Sequence, residues 1–147
     1  MELDENNVPE EQGEDAVEIY SKWAILGFST IPSPIFGCVL LVMNLLAAGY
    51  KKAVYEVVIF TLIYVVAVNL LINEFLTIPA VINPNVLDKN FVILTLVSFA
   101  SNLVGGLVLS LYFFKKYFPD KDYYPKSILS PLLIFILLVI LTRFVRF

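Results

Sequence analysis

Small and polar residues recur at helical spacing inside two long apolar stretches of this chain. In the first stretch, Ser29, Ser33 and Gly37 fall at positions i, i+4 and i+8, and Asn44 lies two turns further on. The third stretch carries a comparable strip of residues, namely Ser98, Ser101, Asn102, Gly105 and Gly106. In apolar surroundings, hydroxyls and amides form hydrogen bonds between helices, and small residues let two backbones approach closely. The two strips therefore predict a packing seam or, as the alternative, the lining of a narrow polar path.

The same sequence offers little for catalysis. It contains no histidine and a single cysteine, Cys38, which removes most zinc sites and every Ser-His or Cys-His nucleophile pair. A lone intramembrane serine or Cys38 would have no base to activate it. No acid pair lies within an apolar stretch. We therefore expect no enzymatic activity, no metal, no cofactor and no nucleic-acid partner.

The composition indicates that helices position these strips in a membrane. Of 147 residues, 59% are hydrophobic, and the mean hydropathy is +0.84, whereas soluble domains are about 45 to 50% apolar. Four stretches contain no acidic or basic residue, and each is long enough for a spanning helix of ~20 residues, with tilt absorbing the differences in length. The sequence thus predicts an all-α polytopic membrane protein with four transmembrane helices in two hairpins, at about 23–49, 53–73, 91–115 and 126–143, within a domain of residues 21–147.

Two prolines interrupt the first predicted helix. Pro32 and Pro34 each remove a backbone donor and clash with the carbonyl four residues earlier, those of Phe28 and Thr30. A kinked but continuous helix, with its carbonyls satisfied by nearby hydroxyls, is our prediction. The alternative is a broken chain in which residues 23–31 lie along the membrane interface and a new helix starts near Ser33 with Pro34 in its first turn.

The charged segments predict the orientation of the chain. Residues 1–20 form an acidic, flexible tail, which either solubilises the chain or docks onto a basic partner, and its end from Glu14 to Ser21 is predicted to be helical. Six of the ten Lys and Arg lie in the links after the first and third stretches. The positive-inside rule therefore predicts cytoplasmic links and external termini. The basic residues expected to anchor these links at lipid headgroups are Lys51, Lys52, Lys115, Lys116 and Lys126.

The remaining link, residues 73–90, is rich in proline and unusually apolar for a loop. Phe75, Ile78 and Ile82 would be poorly placed in open water. The bilayer surface or another protein is therefore expected to cover them, and we predict that they contact a partner.

Two stretches carry a resemblance to known proteins, SPIFGCVLLVMNL with the following GYKK, and FFKKYFPDKDYYPKS. The pattern resembles small multi-pass membrane proteins of bacteria that have no assigned activity, and it implies neither catalytic residues nor a substrate. We expect a non-enzymatic protein of the inner membrane that acts through contacts, as an accessory subunit of a membrane complex or as a homo-oligomer. The alternative is a transporter or channel component for a small solute, ion or lipid, with its path between helices one and three.

Overall fold

The computed structural model describes residues 17–75, 89–119 and 123–144. Over these residues the chain is mostly helical, so the all-α prediction is confirmed. The helices are α1 (Lys22–Thr30), α2 (Pro34–Ala47), α3 (Lys51–Phe75), α4 (Lys89–Leu107), α5 (Phe114–Tyr117) and α6 (Leu129–Phe144). A π-helical segment, Val108–Phe113, joins α4 to α5 without a break. Two short strands, β1 (Glu18–Ile19) and β2 (Tyr124–Pro125), pair in parallel.

The first apolar stretch is broken at its prolines. The α1 helix ends where the Ile31 amide donates to the Gly27 carbonyl over 3.0 Å. Ser33 then adopts an extended backbone with φ of −177°, and Pro34 occupies the first turn of α2, a position where the missing N–H costs nothing. The prediction of a kinked continuous helix is therefore wrong. The alternative is confirmed in its break and in the new helix that starts at Pro34.

After the break, α2 folds back along α1, and we call this antiparallel pair the hairpin. Its open end is marked by Tyr20, whose backbone is hydrogen-bonded to the Asn44 side chain 24 positions away. The nine residues of α1 and the 14 of α2 rise about 14 Å and 21 Å, less than the ~30 Å of a hydrocarbon core. The first predicted crossing therefore starts and ends at the same end of the molecule.

Two helices in the described residues are long and apolar enough to cross a membrane. These are Lys51–Glu74 and Phe91–Tyr117, and the second runs through α4, the π-helical segment and α5. A glycine sets the start of the first one. Gly49 has a φ of +78°, and its amide and that of Tyr50 bond back to Leu46 and Leu45, which is a Schellman motif that ends α2 and turns the chain into α3.

The N-terminal segment lies beside both basic links, at what we call the link end. Residues 18–19 are extended rather than helical, because β1 pairs with β2 and the Ile19 carbonyl accepts from the Lys126 amide over 2.8 Å. The Tyr50 ring, from the first link, lies 6.0 Å from the Tyr117 ring. The predicted helix at the end of the tail is thus wrong for these residues. The N-terminal side of the hairpin also lies at the same end as the links, not opposite to them, because the hairpin reverses the chain.

The core forms where the hairpin meets α3 and the π-helical segment. Its fully buried apolar side chains are Ile25, Leu41, Leu45, Val57 and Leu109. The α6 helix lies on the other side of the hairpin, where the Phe36 and Phe135 rings meet edge to face with centroids 5.6 Å apart. This arrangement leaves the hairpin between α4 and α6.

Candidate functional site: the hairpin seam and its surroundings

The hairpin meets α4 at two adjacent glycines, and we call this contact the hairpin seam. A Cβ atom on Gly106 would lie 2.7 Å from the Ser29 Cβ, and one on Gly105 would lie 3.0 Å from the Pro34 Cγ. The same atom on Gly105 would approach the Tyr64 ring to 2.7 Å. Only hydrogen fits at these positions, which is how small residues let membrane helices associate. The seam brings the first and third apolar stretches into direct contact.

A third glycine closes the hairpin itself. A Cβ atom on Gly37 would lie 2.8 Å from the Ile25 carbonyl oxygen and 2.9 Å from the Ser29 Cβ, and it would also overlap the Ser29 Oγ. Gly37 and Ser29, which the sequence placed on one face of one helix, therefore face each other across the turn. Gly37 serves packing within the hairpin, and Ser29 serves both the hairpin and the seam.

The hydroxyls around the seam are bonded to backbone carbonyls. Ser29 donates to the Ile25 carbonyl over 2.7 Å, and Thr61 donates to that of Val57 over 2.8 Å. The Tyr64 hydroxyl reaches across to α4 and donates to the Ser101 carbonyl over 2.6 Å. No buried side-chain nitrogen or oxygen in the described residues lacks a hydrogen-bond partner. These groups therefore stabilise the fold.

Asn44 clamps the start of the chain to the hairpin. Its Oδ1 accepts from the Tyr20 amide and its Nδ2 donates to the Tyr20 carbonyl, both over 2.8 Å. Asn44 is 1% exposed and Tyr20 is 3% exposed. One amide side chain thus satisfies a buried backbone donor and acceptor that would otherwise be left unpaired.

The predicted basic anchors lie around the link end and are exposed. These residues are Lys51, Lys52, Lys115, Lys116 and Lys126. Lys116 is ion-paired with Glu56 over 2.8 Å, and the Tyr117 hydroxyl donates to the same carboxylate over 2.6 Å. This cluster ties α5 to the first turns of α3, and because it is exposed it adds little to stability.

A small cleft lies between the hairpin turn, α3 and α4. Its volume is about 150 Å³, and its polar lining comes from Ser33, Asn69, Ser98 and Asn102. Pro34 and Tyr64 also line it, and both press against Gly105. The cleft therefore ends at the hairpin seam. Of the polar residues predicted to line a path, Ser33, Ser98 and Asn102 lie in the cleft, whereas Ser29, Asn44 and Ser101 do not line it.

Two larger apolar grooves flank the contact between the hairpin and α6. The first, which we call the α1 groove, has a volume of about 380 Å³ and lies between α1 and the start of α6. The second, of about 370 Å³, lies between α2 and α6. Phe28 lines both of them. No sequence pattern pointed to these grooves, since they arise from the side-by-side placement of distant helices.

The structure describes only one of the three residues that were predicted to contact a partner. Phe75 ends α3, whereas Ile78 and Ile82 lie outside the described residues. Sequence reasoning missed Tyr20 in the clamp and Tyr64 at the seam, and it treated Pro34 as a helix breaker but not as a seam contact. Tyr64 gave a weak signal as the one phenol in the middle of α3, and a buried phenol needs a hydrogen-bond partner.

The described residues hold no group of three or more His, Cys, Asp or Glu that would suit a metal ion. Cys38 is buried in the hairpin. The side chains around the hairpin seam pack against one another and form hydrogen bonds to the backbone, and they lie beside an apolar surface. Comparison of the chain with protein-family models, with curated proteins and with solved structures finds no match.

Proposed function

We propose that the chain is an integral membrane protein with three crossings and one re-entrant hairpin. In this arrangement α3, the α4–α5 helix and α6 cross the bilayer, and the hairpin enters it from the link end and returns. The 16 residues of α6 rise about 24 Å, and a bilayer can thin locally around a helix of this length. The concentration of basic residues at the link end favours its placement in the cytoplasm, together with the N-terminal side of the hairpin.

Cysteine labelling tests this topology. In a Cys38→Ser background, we expect Val17→Cys and Lys52→Cys to react with a membrane-impermeant maleimide from the same side, in inverted vesicles. Asn85→Cys, in the link between α3 and α4, is expected to react only in intact spheroplasts. Val17 and Lys52 are expected on the same side because the hairpin that lies between them returns the chain to the side from which it entered. If Val17→Cys is labelled from the same side as Asn85→Cys, the first apolar stretch crosses the membrane, and the hairpin proposal is contradicted.

We propose further that this membrane protein is non-enzymatic and acts through protein contacts, as an accessory subunit or as a homo-oligomer. The packing of α6 carries this proposal. Apart from the side of Phe135, its side chains are largely uncovered by the rest of the chain, and Leu133 and Leu137 are 58% and 57% exposed. Helices in a bilayer are held by close packing and interhelical hydrogen bonds, so a further helix from a second copy or a partner would complete the packing of α6.

The hairpin seam supports contacts over transport. A path between the first and third apolar stretches would need space at the level of Gly105 and Gly106, where neighbouring side chains leave room only for hydrogen. The hydroxyls beside the seam are bonded to backbone carbonyls. Transport through this interface remains the alternative function, and the polar cleft above the seam is the one feature that favours it.

Native mass measurement after purification in a mild detergent tests the contact function. We expect a dimer, a higher oligomer or a complex with a co-purified membrane protein. Replacing Leu133 and Leu137 with alanine should release a protomer, because both face outward on α6. Replacing Leu96 and Phe99 on α4 with alanine is the matched control, since these side chains are also exposed. A lone monodisperse wild-type protomer would count against the proposal.

A further inference from the structure

The α1 groove has the dimensions of one lipid leaflet. It runs along α1, past Trp23, Gly27 and Phe28, and its other wall is formed by Ile128, Leu132 and Phe135. The nine residues of α1 rise about 14 Å, which is roughly half of a ~30 Å hydrocarbon core. The groove therefore matches the depth of a single acyl chain that enters from the link end.

Two lysines lie beside the end of the groove at the bilayer surface. Ser21 and Trp23 line this end, and the Lys22 ammonium lies 5.4 Å from the centre of the Trp23 ring. Lys126 precedes the other wall by two residues, and its ammonium lies 5.6 Å from the centre of the Tyr20 ring. Both lysines are exposed. Juxtamembrane lysines attract anionic headgroups, so charge favours an anionic lipid over an uncharged helix as the occupant.

Gly27 provides an independent observation. A Cβ atom at Gly27 would meet nothing within 4 Å, whereas one at Gly37, Gly105 or Gly106 would collide with a neighbour. Gly27 is therefore not required for helix contact within the chain, although glycine is a poor helix former. Its effect is to leave the wall of the α1 groove open.

We propose that the α1 groove binds one acyl chain of an anionic phospholipid whose headgroup is held by Lys22 and Lys126. The lipid comes from the leaflet at the link end. This inference rests on the proposed membrane insertion of the hairpin, but it does not depend on a protein partner at α6.

Native mass spectrometry of the full chain with defined lipids tests the site. The protein is reconstituted in nanodiscs that contain equal amounts of phosphatidylglycerol and phosphatidylcholine, and the lipids retained after gentle release are counted. We expect one phosphatidylglycerol to be retained preferentially. The Gly27→Leu variant should lower that retention at least tenfold, because the new side chain fills the groove. Lys22→Gln and Lys126→Gln should each lower the preference about fivefold without abolishing lipid retention.

A control variant separates the site from general effects. Ala100→Leu places a leucine at an exposed position on α4 that does not line the α1 groove. This control should not change the retention of phosphatidylglycerol. Equal retention of the two lipids by wild type, or full retention by both Gly27→Leu and the double variant Lys22→Gln with Lys126→Gln, would overturn the proposal. So would a wild-type dimer that Gly27→Leu alone dissociates, because a second copy would then occupy the groove.

Membrane fractionation distinguishes failure of this site from failure of the proposed function. A wild-type chain that is extracted from membranes by alkaline carbonate would overturn both, because the hairpin would not be inserted. A chain that stays in the membrane and forms its oligomer, but shows no lipid preference, would overturn the lipid site alone. Retention of the oligomer by Gly27→Leu together with loss of the bound lipid is the expected combination.

Discussion

Replacing Gly37 with alanine should destabilise the protein more than any other single-methyl addition in the hairpin. The added Cβ would lie 2.8 Å from the Ile25 carbonyl oxygen and 2.9 Å from the Ser29 Cβ. It would also displace the Ser29 hydroxyl from its 2.7 Å hydrogen bond to Ile25. Overpacking of a core costs about 1 to 3 kcal/mol, and we expect a loss near the top of that range, because two of the three close contacts involve atoms fixed to the backbone.

The loss is measured as the midpoint of unfolding in a titration with a denaturing detergent, followed by circular dichroism. Gly27→Ala is the matched control. It adds the same methyl group to the facing helix, where nothing lies within 4 Å, and it should be neutral or stabilising by about 0.5 to 1 kcal/mol, because alanine is a better helix former than glycine. Similar midpoints for Gly37→Ala and Gly27→Ala would show that the hairpin is not packed at Gly37.

Replacing Asn44 with alanine should detach the segment before α1 from the hairpin. The variant loses two hydrogen bonds of 2.8 Å and leaves the Tyr20 amide and carbonyl without their partner. Each unsatisfied buried group costs about 1 to 3 kcal/mol, so the two groups together are expected to cost about 2 to 6 kcal/mol, and water that reaches the vacated site lowers this total. Hydrogen exchange at the Tyr20 amide should accelerate strongly, because Asn44 is its acceptor.

Asn69→Ala is the control for this variant. Asn69 also uses its side-chain amide to donate to a backbone carbonyl, that of Val65, but it is exposed and bonds within its own helix. Its replacement should change stability by less than 1 kcal/mol. Slow exchange at Tyr20 in Asn44→Ala would mean that the amide is protected by β1 alone, and the proposed clamp would then be wrong.

The two variants address the same structural element from its two ends. Gly37 lies near the turn, where the hairpin is deepest in the proposed membrane arrangement, and Asn44 closes the open end beside the links. The lysines proposed to hold a lipid headgroup also lie at the open end. We therefore expect Asn44→Ala to weaken lipid retention as well, since Tyr20 is part of the surface over which Lys126 is placed.

Composition and local pattern alone determined the helical class of this protein. In a bilayer, a single apolar stretch can satisfy its backbone groups within itself only as a helix. The predicted stretch of about 53–73 corresponds closely to α3, Lys51–Phe75. The sequence also indicated the packing seam, because glycine and serine at helical spacing most often allow close packing between helices. The prolines showed that the first stretch contains a disruption.

Tertiary structure decided the direction that the chain takes after that disruption. A proline in the sequence indicates that a regular helix is interrupted there. It does not indicate whether the next helix continues in the same direction or folds back along the first. The reversal depends on the Gly37–Ser29 contact and on the bonds between Asn44 and Tyr20, 24 positions apart. Because the chain reverses, the N-terminal segment lies at the link end and the α1 groove forms between α1 and α6. A periodic pattern could not have indicated either result, because both depend on contacts between residues that only the folded chain brings together.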